Sequence, residues 1–230
     1  MPLYEYDDAE HTYQIDGRAA PGLSQILSLS GFLDGMMAPE DALERGKRVH
    51  KAIELHLQRD LDEASIPAED RGYFDSFLRF EDLGRAEFAH AEYLTGNAEL
   101  WYCTQIDGVG LFDGEPMVAN FKTGDAYPHY SIQLAGEALC MGEPLPKRVG
   151  IYLRADGEFD PASQIVVHDD ARDFQIFKAA AAVADWKIRH GLGWRVRRSR
   201  PVKREMQAVA SELFDQAAMG PLSTSGIFGL

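Results

Sequence analysis

The order of apolar patterns along this 230-residue chain predicts a mixed α/β fold, a central sheet flanked by helices. Three observations predict it. Two segments of helical period, each opened by proline and acids, come first. A run of three strand-like segments broken by glycine turns follows. Helical and strand segments then alternate up to a long alanine-rich helix. The length suits one sizeable core with an appendage.

Each element has its own warrant. Residues 3–16 alternate loosely through Tyr4, Tyr6, Tyr13 and Ile15, and Asp16-Gly17 offers a turn, so a small hairpin is expected. Ser24 is read as the cap of a short helix over 25–30. Pro39 with Glu40 and Asp41 starts a helix to about Arg59, with Leu43, Val49, Ile53 and Leu57 on its apolar side. Pro67 with Glu69 and Asp70 starts a second, whose face carries Tyr73, Phe77 and Phe80. Strands are expected over 87–94, 100–106 and 116–122, with a turn at 95–97. A helix over 130–141, short strands over 148–153 and 164–167, and a helix over 169–190 stopped by Gly191 complete the order. This gives a folded domain over 1–193 and a basic C-terminal arm over 194–230. Arg195, Arg197, Arg198 and Arg200 stand in that arm with Lys203 and Arg204, the only dense basic cluster of the chain.

Composition bounds the function. A net charge of −14 does not mark an obvious nucleic-acid binder, because phosphate contact wants Lys and Arg. The basic arm is the exception, read either as a solvated segment or as a DNA-backbone contact. Two cysteines, Cys103 and Cys140, have no metal-type spacing and no disulfide framework, which suits a reducing, intracellular (cytoplasmic) setting. The N-terminus lacks a signal-peptide pattern, and no apolar run reaches the length of a membrane span, so no membrane partner is expected.

The chemistry concentrates in Gln105-Ile-Asp-Gly-Val-Gly110 and Val118-Ala-Asn-Phe-Lys-Thr-Gly124. Residues 120 and 122 lie two apart on one strand, so they share a face. A turn at Asp113-Gly114 folds Asp107 back beside them. A carboxylate pair there would hold Mg²⁺ or Mn²⁺ through hard oxygens. Lys122 would orient water and offset charge on a phosphate. The Phe121 carbonyl is a natural extra ligand. Upstream, His50 and Glu54 share a helix face at i, i+4 in Arg45-Gly-Lys-Arg-Val-His50, and Gly46 is expected to let that helix approach a strand closely. Glu54 and Glu92 are read as solvated or supporting rather than as ligands. His11, His56, His90, His129, His168 and His190 have no partner spacing.

These residues resemble the PD-(D/E)XK nuclease superfamily, in its RecB-like, phage-type exonuclease branch. The pattern is carried by Gly46 to His50, Ile106-Asp107, Asn120-Phe-Lys122-Thr-Gly124 and Gln133-Leu-Ala-Gly136, over about residues 40–153. The opening His11-Thr-Tyr13 and Pro21-Gly-Leu-Ser-Gln-Ile-Leu27 resembles that of small phage and prophage members. The resemblance implies a restriction-endonuclease-like sheet and one or two Mg²⁺ or Mn²⁺ ions held by His50, Asp107 and residue 120. It implies Lys122 as the catalytic lysine and Gln133 beside the site, holding DNA or Lys122. It implies a deoxyribonuclease, exonuclease rather than endonuclease, acting in recombination or repair, with DNA as partner. A homo-oligomer or a recombination protein would be a further partner.

The chain departs from that pattern at three places. Thr104 stands for glycine, Glu137 for tyrosine and Asn120 for the second acid. An amide carbonyl is a weaker ligand for a hard cation than a carboxylate, so Asn120 is read as inactivating the site, as a deliberate Asp→Asn change would. Two rival readings are a non-catalytic DNA-binding or scaffolding relative with native Asn120, and a structural subunit that docks through residues 195–230.

Overall fold

The computed structural model describes residues 1–8, 10–35 and 39–193. The basic arm, with Arg195, Arg197, Arg198 and Arg200, lies outside the described residues. Over the rest, the predicted mixed α/β architecture is present. Three short strands, β1 (Tyr4–Asp7), β2 (Thr12–Ile15) and β3 (Arg18–Ala20), form an antiparallel sheet of their own. Helices α1 (Leu23–Ser30), α2 (Glu40–Leu57) and α3 (Ala68–Glu81) follow. The main sheet holds β4 (Ala86–Asn97), β5 (Tyr102–Phe112), β6 (Glu115–Lys122), β7 (Lys147–Tyr152) and β8 (Ile165–Val167), in that spatial order. Helix α4 (His129–Met141) crosses from β6 to β7, which makes that pair parallel while the other pairs are antiparallel. The one-turn α5 (Pro161–Gln164) and the long α6 (Arg172–Arg189) complete the order.

Helices cover both faces of the main sheet. Phe74, Phe77 and Phe80 of α3, with Val49 and Ile53 of α2, pack on Met117, Ala119 and Phe121 of β6 and on Val149 and Ile151 of β7. The opposite face packs Val118 of β6 against Leu134 and Ala138 of α4. Alternation along β6 thus divides the strand between two cores. Odd positions face α2 and α3; even positions, Asn120 and Lys122 among them, face α4. Gly72 is required on α3, because a Cβ there would stand 1.8 Å from the Ala155 carbonyl oxygen.

Several sequence boundaries shift. The first hairpin gains a third strand, β3. Gly22, not Ser24, caps α1, with Gln25 Oε1 accepting from the Gly22 N–H at 2.9 Å. Leu43 is 54% exposed, so the apolar face of α2 begins at Val49. Thr95 and Gly96 belong to β4. The hairpin instead closes from Asn97 to Tyr102, because Asn97 Oδ1 accepts the Glu99 and Leu100 N–H groups and holds the turn. Gly46 is not a forced close approach, since a Cβ there would meet only Thr123 Oγ1, at 4.0 Å.

Candidate metal and phosphate site

The site forms where the main sheet opens. Pairing between β5 and β6 stops at Gly108 with Ala119, while β6 continues along β7 as far as Lys122 with Tyr152. Beyond that point Phe121 would leave both its backbone groups without a strand partner. A buried pair of that kind must be satisfied elsewhere. Asp107 Oδ2 accepts the Phe121 N–H at 2.8 Å, and His50 Nε2–H donates to the Phe121 carbonyl at 2.8 Å. One residue thus draws an acid from β5 and an imidazole from α2 to the same gap. The carbonyl expected as an extra ligand is the one His50 holds.

The tautomer follows from that bond. A neutral His50 with its proton on Nε2 presents the Nδ1 lone pair, a pattern that suits ligation. Nδ1 lies 3.5 Å from Asp107 Oδ1 and 3.6 Å from Glu92 Oε1. One ligand atom from each of His50, Glu92 and Asp107 lies within 4.8 Å of the others. Glu92 stands across the strand pair from Asp107, between the pairings of Ala91 with Gly108 and Tyr93 with Ile106. Its φ of 48° is left-handed, a backbone conformation costing about 1–3 kcal/mol for a residue other than glycine. That outlier inside a strand coincides with a carboxylate turned into the cluster.

Electrostatics fit a cation. Burial alone would lower the His50 pKa, but the Asp107 and Glu92 charges outweigh it and raise it to about 9. Burial raises Glu92, against the pull of His50. In the protein alone, a proton on His50 offsets one of the two carboxylate charges, whereas a divalent ion would offset both. Carboxylate oxygens with a single imidazole are donors of a kind that divalent cations accept.

Asn120 has a different environment from the one its position suggests. It is 1% exposed, and its Nδ2 donates to both Glu137 oxygens, at 2.9 and 2.8 Å. Its Oδ1 accepts from Gln133 Nε2 at 3.1 Å. Gln133 Nε2 also donates to Glu137 Oε1 at 3.0 Å, which leaves Gln133 Oε1 facing Lys122 Nζ at 3.4 Å. Burial, then the Asp107 charge, pushes Glu137 up to about 8, against the pull of Lys122, Gln133 and Asn120. Lys122 Nζ lies 4.5 Å from the centre of the Tyr130 ring.

The fold therefore gathers His50, Asp107, Asn120, Lys122 and Gln133 in one place. Sequence reasoning set Glu92 aside and treated Glu137 as a minor departure; both line the site. Glu92 was hidden by the misplaced turn, since only the Asn97–Tyr102 closure sets it opposite Asp107. Glu137 lies one helical turn beyond Gln133, a spacing visible in the sequence. Glu54 is engaged by Lys51 Nζ at 2.8 Å and by Gln58 Nε2 at 3.2 Å, a supporting place. Compared with known proteins, the chain matches no family model and no curated protein. The fold and the site define a mixed α/β protein carrying a His–Glu–Asp cluster beside a lysine.

Proposed function

We propose that this protein is a metal-dependent deoxyribonuclease, or the direct descendant of one, with a restriction-endonuclease-like arrangement of its main sheet. The observation that carries the reading is the convergence of His50, Glu92 and Asp107 on one point with Lys122 on the neighbouring strand. His50 Nδ1 and the Glu92 and Asp107 carboxylates would hold Mg²⁺ or Mn²⁺. The ion would supply Lewis-acid stabilisation of a phosphate and acidify a bound water. Lys122 would sit against a non-bridging phosphate oxygen or the attacking water, held in place by Gln133 and the Tyr130 ring. A role in phage-type recombination or repair, with exonuclease action, rests on the motif resemblance.

The pairing of Asn120 with Glu137 supports a native Asn120 rather than an introduced one. A buried amide donating to both oxygens of a buried carboxylate is a matched pair. That also favours the second reading, a DNA-binding relative with weak or no hydrolysis. Incubating the protein with linear and circular, single- and double-stranded DNA plus Mn²⁺ separates the two. Cleavage that disappears in Lys122→Ala and Asp107→Ala supports the nuclease. Binding of DNA without cleavage of any substrate selects the second reading.

A further inference from the structure

Beside Lys122, the segment that enters α4 builds a ledge of rings that no core uses. Tyr127 is 46% exposed, and neither it nor Tyr130 belongs to a hydrophobic cluster of the described residues. The rings are nevertheless ordered against one another. Tyr127 stacks on His129 with centroids 5.8 Å apart and planes at 24°. Tyr130 stands edge-on to both, 5.8 Å from Tyr127 and 4.5 Å from His129. Its ring also takes the Lys122 ammonium at 4.5 Å, which ties the ledge to the site.

The charge at the inner end is the second observation. Lys122 is half-buried, and its partners are the Gln133 carbonyl oxygen and a π face. It forms no ion pair with any described residue, in a chain of net charge −14. Burial and the nearby Lys122 charge both lower the His129 pKa, so near neutral pH this ring offers a neutral face. A ligand matching this arrangement carries an anion at one end and a flat ring on the far side of the Tyr130 ring from it. A nucleotide has that shape.

We propose that Tyr127 and His129 form a stacking platform for the nucleobase next to the phosphate that Lys122 holds. The platform therefore takes an unpaired base, from a single strand or a frayed duplex end. The proposal rests on the nuclease reading for the role of Lys122, and the platform itself can be tested apart from cleavage. A base in a duplex has both faces covered by its neighbours, whereas an unpaired base offers one to the ledge. Stacking on an aromatic side chain tolerates any base, because every base has a π face.

The test compares a fluorescein-labelled oligothymidylate with an abasic strand of the same phosphate count, by anisotropy, in EDTA and without added metal. The full chain is expected to bind the base-bearing strand about ten-fold more tightly, as loss of one stacking contact implies. Tyr127→Ala should erase that ratio, and Tyr127→Phe should keep it. Equal binding of the two strands, a ratio unchanged in Tyr127→Ala, or no binding of either strand overturns the platform. So would a Tyr127 effect of equal size on both strands, which is the mark of a protein-docking or purely structural role. Mn²⁺-dependent cleavage is scored separately. Its absence with the ratio intact removes the nuclease reading and leaves the platform. Its presence with a flat ratio does the reverse.

Discussion

Asn120 and Glu137 show how much one side chain depends on its partner. In isolation, Asn120 marks the place of a lost carboxylate. In the fold, its amide donates to both oxygens of Glu137. Replacing Asn120 with Asp turns two donated bonds into an approach of two buried acids, which must share one proton or separate. We expect Asn120→Asp to destabilise the protein by about 2 kcal/mol, the order of leaving a buried polar group unpaired. Adding Glu137→Gln restores an amide-to-carboxylate pair with the roles reversed, and should recover most of the loss. Thermal melts of the two single variants and the double variant measure the coupling; strict additivity would mean the pair is not matched. At the cluster, Asp107 does two tasks, accepting the Phe121 N–H and facing His50. Asp107→Ala is expected to abolish Mn²⁺ binding by calorimetry. Glu92→Gln should weaken it by about ten-fold or more, as loss of a charged ligand or of its close support does. Unaltered Mn²⁺ affinity in both variants would rule out this cluster as the metal site.

At the scale of elements, the site is a consequence of strand divergence. β6 leaves β5 after Ala119 and stays with β7, so Phe121 offers its N–H and carbonyl to the gap. The Phe121 side chain meanwhile points the other way, into a cluster of rings. Phe77 lies 5.3 Å from it, ring to ring, and Phe88 lies 5.7 Å away. The aromatic core thus anchors the backbone that draws in Asp107 and His50. Phe77→Ala should cost about 3–5 kcal/mol by chemical denaturation, the usual range for a fully buried aromatic. It should also weaken Mn²⁺ binding, although Phe77 has no polar atom in its side chain. Full Mn²⁺ affinity in a destabilised Phe77→Ala would show that core and site are uncoupled. Helix α2 is held to the same strand end by Arg45, whose Nη2 donates to the Thr123 carbonyl at 3.2 Å, which helps seat His50 over the gap.

For the whole molecule, the two most deeply buried groups of the site, His50 and Glu137, give stability a pH dependence of the same sign. His50 rises from 6.5 to about 9 on folding, and Glu137 from 4.5 to about 8. A group raised on folding binds its proton more tightly in the folded state. Its contribution is complete below the unfolded value and is lost as pH rises through the folded value. Glu137 therefore acts between about pH 4.5 and 8, and His50 between about 6.5 and 9. The thermal midpoint in the absence of divalent metal should fall across pH 6.5–9, with a shallower fall in His50→Gln. Saturating Mn²⁺ should flatten the wild-type slope above pH 7, because the ion takes the place of the His50 proton. A midpoint that climbs between pH 7 and 9 without metal would contradict this assignment. No helix among the described residues is long and apolar enough to cross a membrane.

Much of this was legible in the chain. Proline-acid starts, ring spacing and period-two strands placed α2, α3 and β6 to within a residue or two, because those patterns are local. The positions of His50, Asp107, Lys122 and Gln133 were legible too, since each lies on an element whose face its own neighbours decide. Glu92 was not. Its relation to Asp107 depends on strand register, and an Asn97 side chain bonded to the Glu99 and Leu100 amides moved the turn that sets it. Glu137 was visible as a departure, but its meaning needed α4 seated on β6. The sequence by itself determined the mixed α/β class and the inventory of reactive groups. Only the tertiary structure decided that Glu92 joins His50 and Asp107 while Asn120 turns to Glu137. Cross-strand register and helix-on-sheet packing are long-range, and the hydrogen bonds that select a side chain's partner form only after both are in place.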